Sequence, residues 1–264
     1  MNPGIQPGLP DPLGATVRDG GTNFAVWAPD AIRVELCLIN EDGGHWNFDL
    51  PGFTKGVFHG FIPEVGHGQR YGYRVHGQWA PEKGIRFNPA KLLLDPYARA
   101  VTGELVLHES IYAHVGHDDL TFNDLDSRTY VPHGVVVDPY YDWEEDTRPN
   151  IPPEKTVIYE AHVSGLTGQH PSIPEHQRGT YAGIGHQVVI DYLKDLGITT
   201  IELLPCQQFV SEPFLLAHNR ENYWGYNTLA FFAPHAAYSA SGSHGQQVAE
   251  FKDMVKALHR AGLE

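Results

Sequence analysis

The stretch "HQVVIDYLKDLGITTIELLP" (residues 186–205) decides how the second half of the chain folds. Val189, Tyr192, Leu193 and Leu196 recur at three- and four-residue steps, which places them on one helical face, and Gly197 stands where a helix stops. The aliphatic, β-branched run that follows reads as a buried strand ended by Pro205. Toward the N-terminus, "TVIYEAHV" (156–163) reads as another buried strand. Toward the C-terminus, after a long loop, "QQVAEFKDMVKALHRAG" (246–262) turns Val248, Phe251, Val255 and Leu258 inward. The order strand, helix, strand, helix implies parallel strands joined by right-handed crossovers. Only Leu263 and Glu264 follow the last helix, so the chain is expected to stop at the threshold of a third strand. Two parallel strands bury little and leave an open edge, which predicts weak stability in isolation.

Upstream the texture is different. From residue 9 to about 105, short alternating runs are broken by Gly- and Asp-rich turns. "TNFAVWAPD" sets Phe24 and Val26 against Ala25 and Trp27, and "RVELCLI" sets Val34, Leu36 and Leu38 against Arg33, Glu35 and Cys37. "HWNFDL" and "YGYRVHG" repeat the pattern through Trp46, Phe48 and Leu50, and through Tyr71, Tyr73 and Val75. Such spacing predicts a β-sandwich of immunoglobulin-like size. Residues 106–153 read as a connection packed over the surface, because Val135–Val137 and Trp143 need burial, while the acidic run Asp142–Asp146 reads as a solvated face. The expected organisation is a sandwich over 1–105, a connecting segment over 106–153 and an α/β unit over 154–264.

Composition narrows the partners. With 32 acidic against 18 basic residues the net charge is −14, which disfavours nucleic acid and anionic membranes and suits a neutral ligand. Cys37 and Cys206 form no CxxC pair, and with no signal peptide or long apolar run this favours a reducing cytoplasm. The spacing of His162, His170 and His176 matches no compact ligand set, so neither metal nor cofactor is expected. Nothing in the sequence fixes an oligomeric state.

Several longer stretches resemble a known family. "VIYEAHVSGLTGQHPSIPEHQRGTYAGIG", "LGITTIELLP" and "NYWGYNTLAFFAPHAAY" are similar to the first two barrel strands and adjoining loops of the glycogen-debranching, isoamylase-type branch of the α-amylase superfamily. "PGLPDPLGATVRDGGTNFAVWAPDAIRVELCL" resembles the sandwich module that precedes that barrel, and "LLLDPYARAV" and "DSRTYVPHGVVVDPYYDW" resemble its connecting segment. The resemblance implies a carbohydrate-binding-module type β-sandwich followed by the first two βα units of an incomplete (β/α)8 TIM barrel. It implies hydrolysis of α-1,6 branch linkages in glycogen or limit dextrin, with α-glucan as the partner. Retaining hydrolysis needs two carboxyl groups about 5 Å apart. The family carries its acids on the fourth and fifth barrel strands and after the seventh, so the catalytic residues are expected beyond Glu264 and the chain alone is expected to be inactive.

What remains within the chain is substrate contact. Tyr226 matches the family's tyrosine under the sugar ring on the non-reducing side of the cleaved bond; Tyr223 and Trp224 flank it, and Gly225 lets the backbone turn the ring inward. Glu160 and Glu202 sit at matching strand positions and are read as structural acids paired within the fold, not as a catalytic pair. The alternatives are a non-catalytic glycan-binding sandwich using Trp46 or Trp79, or the corresponding part of an α-glucan branching or trehalose-forming enzyme.

Overall fold

A computed structural model describes residues 4–18, 20–116 and 118–264. Eleven strands belong to the N-terminal part: β1 (Gly14–Arg18), β2 (Gly21–Trp27), β3 (Arg33–Ile39), β4 (His45–Asp49), β5 (Gly52–Thr54), β6 (Val57–Pro63), β7 (Arg70–His76), the short hairpin β8 (Trp79–Ala80) and β9 (Ile85–Arg86), β10 (Val101–Thr102) and β11 (His133–Val135). They form two antiparallel sheets, ordered β1-β2-β6-β5 and β10-β11-β7-β3-β4, beside the separate hairpin. Period-two alternation supplies the shared core: Phe24, Val34, Leu36, Leu38, Phe48, Ile62, Tyr71 and Tyr73 are buried together. The register aligns Leu36 with both Phe48 and Tyr73, so one residue of slip would turn the whole set outward. Each such side chain contributes about 1.5–3 kcal/mol by leaving water.

The outer face of the second sheet departs from the expected polar side. Cys37 shares that face with Arg33 and Glu35 yet is fully buried, packed with Ile39 under Leu92 and Val131. The chain after β9 crosses this face and is pinned there by buried cations. Arg74 donates to both carboxylate oxygens of Asp126 (2.8 Å each) and to the Pro89 carbonyl, while Lys91 Nζ donates to the carbonyls of Ser110 and Leu125.

The second part holds β12 (Ile158–Ala161), α1 (Val163–Thr167), α2 (Tyr181–Ile184), α3 (Gln187–Asp195), β13 (Thr200–Leu203), β14 (Gln207–Phe209), α4 (Pro213–Leu216), β15 (Thr228–Pro234) and α5 (Gln246–Arg260). β12 and β13 pair in parallel, Ile158 against Thr200 through Ala161 against Leu203. Tyr159, Ile201 and Leu203 face a core of Val163, Ile173, Tyr181, Ile184, Val189, Leu193, Met254 and Leu258. The helical stripe of α3 lies one step from the expected one: Val189, Ile190 and Leu193 are buried, whereas Tyr192 and Leu196 are about half exposed. The stripe completed by Ile190 is what meets the neighbouring elements. The buried strand expected over 156–163 is in part exposed: Ile158, on the face of β12 opposite Tyr159, is 58% exposed, and Val157, just ahead of the strand, is 48% exposed. Beyond the C-terminal end of α5, Leu263 is buried. The Glu264 N–H donates to the Thr199 carbonyl (2.9 Å), and its own carbonyl accepts from Ile201 N–H (2.8 Å), the alternation of a parallel ladder alongside β13.

The expected long loop between β13 and α5 is in part an antiparallel ribbon, β14 against β15, with α4 between them. Glu250 on α5 gathers the surrounding chain. Its carboxylate accepts from the N–H groups of Ala182, Ala240 and Ser241 and from the hydroxyls of Ser239 and Ser241, at 2.5–3.1 Å.

The connecting segment is stitched to both parts. β11 sits between β10 and β7 in the second sheet, and Val135–Val137 are buried. Trp143 is instead 39% exposed, its ring edge resting on Tyr141. The acidic run is not a free solvated face. Glu144 pairs with Lys256 and Arg260, and Asp146 with His259 at 2.8 Å, because α5 presents its basic residues to this strap. At the other end of α5, fully buried Gln247 donates to the Val101 and Ser243 carbonyls, and Val248 packs with Ala100, Val135 and Val137.

Candidate functional site

The loop between α4 and β15 leaves the ends of β13 and β14 and carries "ENYWGYNT" (221–228). It is held at both ends. Asn222 N–H donates to Ser211 Oγ, its side-chain amide donates to both Glu212 oxygens (3.0 and 3.2 Å), and its Oδ1 accepts from Gly225 N–H (2.8 Å). Asn227 exchanges hydrogen bonds with the Val210 backbone. Gly225 lies at φ +80, and a Cβ there would stand 3.0 Å from the Phe209 ring and 3.1 Å from Pro205. Only glycine fits that turn without strain.

So braced, the loop exposes Tyr223 (51%), Trp224 (58%) and Tyr226 (72%). Tyr223 and Trp224 meet edge to face at 5.2 Å. Beneath Tyr223 lies His162, at the C-terminal end of β12, its ring parallel to the tyrosine at 4.0 Å and 4°. His162 Nδ1 accepts from Gly165 N–H (3.0 Å) and caps α1, which fixes the tautomer with hydrogen on Nε2. That Nε2–H donates to the Tyr223 carbonyl at 2.6 Å, with the Tyr238 hydroxyl 3.1 Å away.

The layer below is aromatic and uncharged. Phe209 stacks on His235 at 3.7 Å; burial pushes His235 down to about 4 and, with help from neighbouring Tyr223 and Cys206, Tyr238 up to about 12. The Tyr181 hydroxyl lies within hydrogen-bond distance of the Cys206 and His235 carbonyls (3.1 Å each). The result is a rigid aromatic shelf with a neutral floor, able to stack on the apolar face of a neutral molecule.

Other sequence candidates lie elsewhere. Glu160 and Glu202 are register partners on the uncovered side of the sheet, both exposed. The pairing expected of them is not seen: among the described residues no side-chain hydrogen bond or ion pair engages either, and both carboxylates face outward. Trp79 is occupied within the fold: its indole N–H donates to the Leu120 carbonyl (2.8 Å) and its ring meets Phe122 edge on. Trp46, on the sheet-edge strand β4, is 37% exposed. Among the described residues, no three His, Cys, Asp or Glu side chains converge as metal ligands.

His162 and Asn222 were missed as parts of this arrangement. A signal existed in the spacing: each stands three residues before a glycine, the separation at which a side-chain acceptor reaches a backbone N–H in a cap or turn.

Residues 12–98 match carbohydrate-binding module 48 (Isoamylase N-terminal domain). Over 253 residues the chain is 51% identical to the glycogen debranching enzyme of Salmonella paratyphi B, and equally to that of Salmonella typhi. Along nearly its whole length the chain is therefore similar to glycogen debranching enzymes. The match takes in 96% of this chain but 38% of those relatives' own length. The catalytic module of the glycogen-degrading pneumococcal virulence factor SpuA superposes with a TM-score of 0.72 at 25% identity, covering 96% of this chain and 36% of that one. Type I pullulanase of Bacillus subtilis, solved with maltose, gives 0.67 at 24% identity, covering 96% and 32%. At those identities the solved structures speak to the shared fold alone.

Proposed function

We propose that this chain is the sandwich and the opening two βα units of a (β/α)8 barrel from an enzyme that hydrolyses α-1,6 branch linkages in glycogen or limit dextrin. Its own part in that reaction is to hold α-glucan on the Tyr223–Tyr226 shelf. The observation that carries the reading is the placement of that braced aromatic loop past the C-terminal ends of the parallel pair β12–β13, the end at which barrel enzymes assemble their sites. The ladder started by Glu264 beside β13 supports a barrel, since it occupies the position of a third parallel strand. Tyr226 is assigned to the sugar on the non-reducing side of the cleaved bond, with Tyr223 and Trp224 as the wall. The proposed organisation is a sandwich over 1–105 that borrows β11 from the connection at 106–153, with the barrel start at 154–264. Two free thiols, Cys37 and Cys206, suit a reducing cytoplasm.

The test has two arms. Incubated with phosphorylase limit dextrin, the purified chain should release no linear maltodextrin, and release would overturn the assignment of the cutting acids to residues outside it. Titrated with maltoheptaose, it should bind, and Tyr226→Ala should weaken binding about tenfold, the loss of roughly 1.4 kcal/mol of stacking.

The match to a carbohydrate-binding module favours a second reading, in which the sandwich itself holds glycan through Trp46. Retardation in a glycogen affinity gel that survives Tyr226→Ala and is lost in Trp46→Ala would select it.

A further inference from the structure

We infer that His162 is the positioning residue of the aromatic shelf, setting the pose of Tyr223 and the path of the loop through Tyr226. The inference deepens the α-glucan reading above and rests on it for the ligand, but not for the geometry. The shelf hangs on a long connection, and the backbone of Tyr223 is the point at which that connection touches the end of β12. The contact is made by one imidazole. Its Nε2–H donates to the Tyr223 carbonyl at 2.6 Å and its ring lies flat under the Tyr223 ring at 4.0 Å. With one face of Tyr223 taken by the imidazole, the opposite face is the one left for a sugar. Gly165 completes the seat, since a Cβ there would lie 2.6 Å from the Tyr223 hydroxyl. His162 is itself held, by the Gly165 N–H on Nδ1 and by Tyr238, whose ring meets it edge on at 5.7 Å. A strand end therefore fixes a loop through a side chain with both nitrogens engaged.

Two isosteric variants separate this role from simple capping of α1. Asparagine places an acceptor where Nδ1 stands and remains a good cap, but is too short to reach the Tyr223 carbonyl. Glutamine reaches that carbonyl with an amide N–H. His162→Asn should retain the thermal unfolding midpoint of His162→Gln or better, yet speed amide hydrogen exchange over residues 222–226 and weaken maltoheptaose binding about tenfold. His162→Gln should restore slow exchange and binding to within about threefold of the unaltered chain. Unchanged exchange over residues 222–226 in His162→Asn overturns the positioning role whether or not sugar binds. Failure of the unaltered chain to bind maltoheptaose would instead sink the α-glucan reading and leave the exchange result to decide for His162.

Discussion

Asp95 is a fully buried carboxylate that accepts from the Tyr71 hydroxyl (2.8 Å), the Tyr73 hydroxyl (3.4 Å) and the Tyr97 N–H (2.8 Å). Burial still outweighs those donors and pushes its pKa up to about 6 from an ordinary 3.8. In the unfolded chain the proton leaves first, so folding stability falls as pH rises from about 4 to about 6, by up to about 3 kcal/mol. Urea unfolding at pH 4.5 and pH 7 tests this: Asp95→Asn should gain stability relative to the parent at the higher pH, and an equal gap at both would refute it. A second residue acts through the backbone. Gly225→Ala meets both a left-handed φ and the Phe209 ring, and should cost about 1–2 kcal/mol in the same assay while weakening maltoheptaose binding. Gly225 was legible from sequence because an aromatic run with a central glycine has few ways to turn. The tie from His162 to Tyr223 was not, since those residues lie 61 positions apart and the bond ends on a carbonyl.

Among elements, the sandwich strands were the most readable. β3 and β7 seal one face against a core, and their alternation of Leu36 and Leu38, or Tyr71 and Tyr73, records that directly. β14 and β15 left no such record: Phe231 and Phe232 are adjacent and both exposed, so the run has no periodic face. The stripe of α3 was misplaced because Tyr192 and Leu196 are apolar enough to fit a helical face, and only neighbouring elements select Ile190 instead. For α5, Glu250 is the element's main polar contact. Burial would raise its pKa, but the donors from Ala240, Ser241, Ser239 and Ala182 together bring it below the usual glutamate value. Its stabilising effect is therefore present above pH 4.5 and lost as acidification carries it through its lowered pKa. Glu250→Gln leaves donors facing donors and should lower stability at pH 7 by about 2–3 kcal/mol, with the difference shrinking toward pH 3 in thermal melts.

At the level of the whole molecule, the two parts share polar and apolar seams. Gln247 reaches Val101, Thr102 and Ser243 bring their hydroxyls to 2.8 Å, and Ala98 and Val101 pack with Ala230 and Ala233. The expectation is one cooperative calorimetric transition, displaced downward by about 1–3 kcal/mol in Gln247→Ala; two resolved peaks would mean the seams are too weak to couple the parts. The order of sandwich before α/β unit is legible in the sequence, but the join is not, because nothing local to Gln247 points to its distant partner Val101.

The course of β11 bears on anyone wishing to excise the sandwich. The family match closes at residue 98, yet the chain must travel on to His133–Val135 before the sheet gains its β11 neighbour along Arg70 and Tyr71. A recombinant piece ending at 98 would bare that backbone and pair with its own kind, eluting as a multimer in gel filtration. A piece carried through residue 138 should elute as a monomer.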